Sequence, residues 1–203
     1  MAAAPLFDTA QRVSRAGALA GGLLMLAAAV LVSVDVIVRK LANITLGGAD
    51  ELAGYALAIG STWSFAFVLL NRGNVRIDAL YHRLSAPLAA ACDLLAVLAL
   101  LAFGGVVAWH GWGVLAQSWA RNSHSNSSLA VPLVVPQALW WIGYAWFVAC
   151  ALLLLARAGG RVAARDWPAV NRLVGARSIE EDAADELAHA RSLQGRSGQG
   201  DGR

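Results

Sequence analysis

The chain has 203 residues, of which 58% are hydrophobic and only 14% charged, with a formal net charge of +3. Soluble domains average about 45–50% apolar and about 25% charged residues, and so short a chain cannot hide the excess in a core of its own. The composition excludes an ordinary soluble enzyme, a disordered or collagen-like chain and a disulfide-rich secreted domain. Cys92 and Cys150 sit singly in apolar runs and form neither a disulfide framework nor a zinc site. No basic stripe points to nucleic acid.

About 20 consecutive apolar residues cross the hydrocarbon core as helix, and four stretches qualify. A lead over residues 1–15, carrying Arg12 and Arg15, precedes a first span from Ala16 to about Val38 that closes on Arg39 and Lys40. It outruns the roughly 7–15 apolar residues of a cleaved signal peptide, so it is read as a lasting span. The second span covers residues 50–70. Asp50 and Glu51 open it at the positive end of the helix dipole, while Arg39 and Lys40 close the first at its negative end. Pairing of these charges across the short gap is the alternative role.

The connector Asn71 to Ser85 follows. Gly73 and Asn74 are expected to break the second helix. Ile77, Leu80, Tyr81 and Leu84 then recur at i, i+3, i+4 and i+7, with Arg76, Asp78, His82 and Arg83 off that face. The pattern predicts a short amphipathic helix lying in the membrane interface. Ser85 caps the third span, with Pro87 in its first turn. That span covers residues 87–116 and is long: 31 residues from Leu88 to Ser118 would reach about 46 Å at 1.5 Å each. The core is only about 30 Å thick, so the helix must tilt or protrude. The fourth span covers 136–156. Residues 158–203 are polar and read as a soluble tail, with a capping box at Ser178–Glu181 opening a helix to about Leu193 and a disordered end.

Arg12, Arg15, Arg72, Arg76, Arg83, Arg157, Arg161 and Arg165 fall on one side of the spans, against Arg39, Lys40 and Arg121 on the other. The positive-inside rule then puts both termini in the cytoplasm. Trp109, Trp112 and Trp119 on the third helix, with Trp140 and Trp141 on the fourth, make an outer-interface belt, read as anchors; four of them, Trp109, Trp112, Trp140 and Trp141, are the anchoring candidates. Gly17, Gly21, Gly60 and Ser64, at four-residue spacing, suit close helix packing, as do Ala18 and Gly22.

Ionisable groups inside spans are few: Asp35, one turn before Arg39; Asp93; and His110. They are too scattered for a proton relay, and no span is broken at its middle as transporter sites require. No catalytic or phosphate-binding motif occurs. A single in-span histidine leaves no pair for haem. The reading is an all-α membrane protein of four transmembrane helices, both ends inside, with no enzyme activity, cofactor, metal or substrate site of its own. Its neighbours are membrane lipids and other membrane proteins.

Four motifs carry a resemblance. Val36-Ile37-Val38-Arg39 ends the first span and Ala49-Asp50-Glu51-Leu52 opens the second. The connector Asn71-Arg72-Gly73-Asn74-Val75-Arg76-Ile77-Asp78-Ala79-Leu80 and Leu129-Ala130-Val131-Pro132 complete the set. Over residues 16–157 the chain resembles the small (Q-type) integral-membrane subunit of tripartite ATP-independent periplasmic (TRAP) transporters. It departs in having Gly48 where an aromatic often precedes the paired acids, and in its longer tail. The resemblance implies a non-moving helper in a bacterial inner membrane. Its partners would be a large multi-span permease subunit and a periplasmic solute-binding protein that delivers a small organic acid for sodium-coupled uptake. It also singles out Arg39, Asp50 and Glu51 on the outer side and Arg72, Gly73, Asn74, Arg76, Asp78 and Arg83 on the inner side as interface or anchoring candidates, beside the four tryptophans. A stand-alone four-span scaffold and a redox-complex anchor are the competing readings.

Overall fold

The computed structural model describes residues 3–45, 47–73, 84–175 and, singly, 187, 190 and 191, without the side chains of 3, 4 and 172. These residues form helices and connectors with no strand; one isolated backbone bridge joins His124 and Pro132. Four helices are long and apolar enough to cross a membrane: α1 (Ala3–Ala42), α2 (Ala49–Leu70), α3 (Ala86–Ala120) and α4 (Val134–Ala163). A short fifth helix, α5 (Trp167–Val174), follows. The interfacial helix expected around Ile77–Leu84, together with Asn74, Arg76, Asp78 and Arg83, lies outside the described residues except for Leu84.

Three helix ends close the same way. At the end of α2, the Arg72 N–H donates to Leu69 O (3.2 Å) and the Gly73 N–H to Val68 O (2.9 Å), with Arg72 left-handed at φ 56°. Asn122 repeats this after α3 and Arg165 after α4, at φ 48° and 54°. This is the Schellman arrangement, which satisfies the last carbonyls of a helix. The expected breaker is therefore corrected: Arg72, not Gly73, takes the left-handed turn, because the hydrogen-bond register sets which residue must. Ser85 does stand at the α3 N-cap, but its side chain makes no capping bond; its carbonyl accepts from the Ala89 N–H at 2.9 Å.

The helices pack chiefly in the order α1, α2, α4, α3, with α1 also touching α4 at the terminal end, and α5 lies against α3 and α4. One end of the row, called here the loop end, holds residues 43–45, 47, 48 and 121–133. The other, the terminal end, holds the start of α1 and all of α5. Glycines permit the closest approaches. A Cβ on Gly21 would fall 2.9 Å from Gly60 Cα, one on Gly17 would fall 2.6 Å from the Trp63 ring, and one on Gly143 would fall 2.5 Å from Thr62 Oγ1. Gly22, by contrast, faces open space.

Indole N–H groups tie helices together, two of them along the row and Trp146 across from α4 to α1. Trp63 donates to Leu139 O (3.1 Å), Trp141 to Ala108 O (2.8 Å) and Trp146 to Ser14 Oγ (2.9 Å). In hydrocarbon an indole N–H has no water to bond, so a carbonyl or hydroxyl on another helix holds it. The buried core gathers at the terminal half: Ala10 of α1, Leu69 and Leu70 of α2, Ala90 and Val97 of α3, Cys150, Leu154 and Ala158 of α4, and Val170 and Val174 of α5. A cation–π contact of Arg157 over the Phe7 ring, 4.4 Å to its centroid, closes α1 onto α4 there.

Candidate functional site: the loop end and the terminal end

The loop end is built from the last turns of α1, the first turn of α2 and the loop 121–133. Asp35 is buried; its carboxylate pairs with Arg39 one turn on and accepts a 3.2 Å hydrogen bond from the Thr45 hydroxyl. The pair neutralises a carboxylate that would otherwise be costly at this depth. Arg39 therefore faces Asp35 rather than crossing to a partner on α2, although Asp50 lies within its electrostatic reach. Gly47 and Gly48 take left-handed φ of 62° and 88° and start α2. Ser128 and Leu129 of the long loop cover them.

Glu51 points into that cover. The Tyr55 hydroxyl donates to its Oε1, the Ser127 and Ser125 hydroxyls face the same carboxyl, and Oε2 is shielded without a hydrogen-bond partner. The loop is tied to itself: Ser125 N–H donates to Val131 O (2.9 Å), Leu133 N–H to Ser123 O (3.0 Å) and Val131 N–H to Ser125 Oγ (3.1 Å). The arrangement buries two carboxylates, Asp35 against Arg39 and Glu51 under the loop, and leaves a fixed polar end. Among the described residues no group of three metal-ligating side chains occurs.

The four tryptophans divide into two kinds. Trp109 is 79% exposed and Trp112 also looks outward from α3. Trp141 bonds α3 and packs tilted against Trp112 at 5.0 Å between ring centroids, and Trp140 lies across Gly111 with an edge contact to Tyr144 at 5.0 Å. Trp140 and Trp141 thus join α3 to α4, beyond the anchoring expected of them.

At the terminal end, Arg72 and Gly73 form the end of α2 already described, Arg72 half-buried and Gly73 exposed. The segment assigned to the tail starts as packed structure. The α4 helix continues to Ala163. Asp166 then caps α5 with its carboxylate on the Ala169 N–H (3.2 Å), and Pro168 occupies the first turn. Val170 and Val174 of α5 are buried, and Gly175 comes down on the buried carboxylate of Asp93. The sequence reading missed this helix. Its signal was present in Asp166-Trp167-Pro168, a cap with proline behind it, and in the apolar spacing of Trp167, Val170 and Val174.

No curated protein and no solved structure matches the chain. A family model does: the one described as tripartite ATP-independent periplasmic transporters, DctQ component, matches residues 28–163. The match takes in residues 28–42 of α1 and all of α2, α3 and α4. It covers the Asp35–Arg39 pair, the Glu51 cluster and the seams made by Trp63 and Trp141, while Ser14, which Trp146 bonds, lies outside it. This multi-pass membrane chain belongs to the DctQ component family of the tripartite ATP-independent periplasmic transporters.

Proposed function

We propose that the chain is the small permease subunit that braces a large translocating subunit in the bacterial inner membrane, with both termini cytoplasmic and the loop end periplasmic. In this reading the assembled transporter takes up a small organic acid, delivered by a periplasmic solute-binding protein, with sodium entry as the driving force. The observation that carries it is the open, row-like packing with its polar groups kept to the ends. Asp35, Arg39, Asp50 and Glu51 lie toward one end and Asp93 toward the other, while long apolar flanks stay uncovered along the helices. A translocating machine needs a polar site at mid-depth; a brace needs anchored ends and a wide apolar flank.

The tagged chain, co-expressed with its neighbouring transport genes and extracted gently, should bring down a membrane protein with many more spans. Only the complete set, reconstituted in liposomes, should accumulate organic anion on a sodium gradient. Accumulation by this chain alone would refute the reading. Charge reversal at Arg76 or Asp78 should lower assembly or uptake, and normal behaviour of both variants would remove the connector from the interface. For orientation, Asn126→Cys in a Cys92→Ala background should react with a membrane-impermeant maleimide added to the periplasmic side. Protection until the cells are lysed would invert the topology.

A further inference from the structure

On the flank where α1 meets the end of α2, Asp8, Gln11, Arg12, Arg15, Phe67 and Asn71 line a cavity of about 360 Å³. Three of these are charged, and among the described residues none of the three forms an ion pair or hydrogen bond. Elsewhere Arg39 is engaged by Asp35, Arg157 by the Phe7 ring and Arg161 by Asp166. Arg12 and Arg15 instead lie one turn apart, exposed and aimed at the same space.

Depth decides what the space can hold. The apolar stretch of α1 begins at Ala16, so Arg15 and Arg12 lie roughly 1.5–6 Å along the axis beyond it. That is head-group level. A guanidinium fork matches a phosphate with two parallel hydrogen bonds, and basic pockets at this level take lipid head groups. Asn71 Nδ2 donates to Phe67 O at 2.8 Å, which leaves its second N–H free to turn toward a ligand. Phe67 gives an apolar wall. Two turns above Arg15 on the same side of α1, Gly22 has nothing within 4 Å of where a Cβ would be, leaving room for an acyl chain. Asp8 is the discriminating residue. Beside two arginines, its carboxylate gives the ammonium of an amine-bearing phosphate a partner that a ligand without a cation would leave unused.

We propose that this cavity seats the head group of an aminophospholipid, with Arg12 and Arg15 on its phosphate and Asp8 on its ammonium. The site does not depend on the transport reading. Its α1 side, residues 8–15, lies outside the part of the chain that matches the family.

The test uses the full chain, purified and delipidated in a neutral detergent, with lipid retention read by native mass spectrometry. The probes are palmitoyl-oleoyl phosphatidylethanolamine, the phosphatidylglycerol and phosphatidylcholine analogues, and inorganic phosphate. The ethanolamine lipid should be retained best. Arg12→Gln with Arg15→Gln should weaken its binding about tenfold, the worth of roughly one charge-assisted hydrogen bond. Asp8→Asn should bring the ethanolamine lipid down to the glycerol lipid. Arg121→Gln, at the loop end, should change nothing. Equal retention of all three lipids by the unmodified chain would overturn the proposal whether or not the variants fold. Full retention by the double arginine variant, or displacement of the lipid by millimolar inorganic phosphate, would overturn it too.

Discussion

Gly21 and Gly22 differ by one position and by everything that surrounds them. A side chain at Gly21 would strike the Gly60 backbone, whereas one at Gly22 would enter open space. Gly21→Val should therefore cost about 1–3 kcal/mol, the usual penalty of overpacking, and Gly22→Val close to nothing in the isolated chain. Thermal unfolding in detergent separates the two. A comparable contrast holds for tryptophan. Trp141→Phe removes the N–H that reaches Ala108 O and should lower stability by about 0.6 kcal/mol, the average for side-chain hydrogen bonds between membrane helices, and by no more than about 1.7 kcal/mol. Trp109→Phe, at an exposed ring, should leave the melting temperature unchanged. At this scale the sequence was readable where partners share one helix. Asp35 and Arg39 stand four apart, and their pairing follows from helix geometry. The contact of Glu51 with Ser127 was not readable, because it joins residues 76 positions apart through a loop whose course no local pattern sets. Tyr55, four residues after Glu51, was the one local hint.

Among the elements, α5 shows how composition can mask structure. It sits in a stretch rich in arginine and polar residues, and the average hid a regular apolar face. Val170 is fully buried, so Val170→Ala, which deletes two methyl groups' worth of burial at about 0.8 kcal/mol each, should cost about 1.5 kcal/mol. Asp166→Ala removes the cap on Ala169 and should cost about 1 kcal/mol. Both should speed proteolysis after Ala163 in the detergent-solubilised chain; equal cleavage rates would show that α5 is not held. The long spans, by contrast, were plain from apolar run length alone, because a bilayer imposes that length. Their helical ends run past the apolar limits: α1 begins at Ala3 and α3 ends at Ala120. Apolarity marks the hydrocarbon, while hydrogen bonding and Schellman closures mark the helix.

For the whole molecule, the order α1, α2, α4, α3 was not legible. Pairing between neighbours in sequence is the natural guess, yet α2 lies on α4 rather than on α3. The reason is local in character but distant in sequence: Gly143 admits Thr62, and Trp63 reaches Leu139 O. Only 11% of the most apolar window of α1 is buried within the chain. Leu19, Leu23, Leu26 and Val30 make a continuous outward stripe along it. An open array of this kind has a mechanical consequence. Rods joined side to side are stiff along their lengths; away from the terminal end, where α1 meets α4 and α5 braces α3, they resist curling only through the contacts at each hinge line, so the loop half of the lamina by itself has little flexural rigidity. Spin labels on α1 and α3 of the solitary chain should give a broad distance distribution that sharpens when a larger membrane partner backs the sheet. Whatever curvature it holds at work would then be borrowed from what it adheres to.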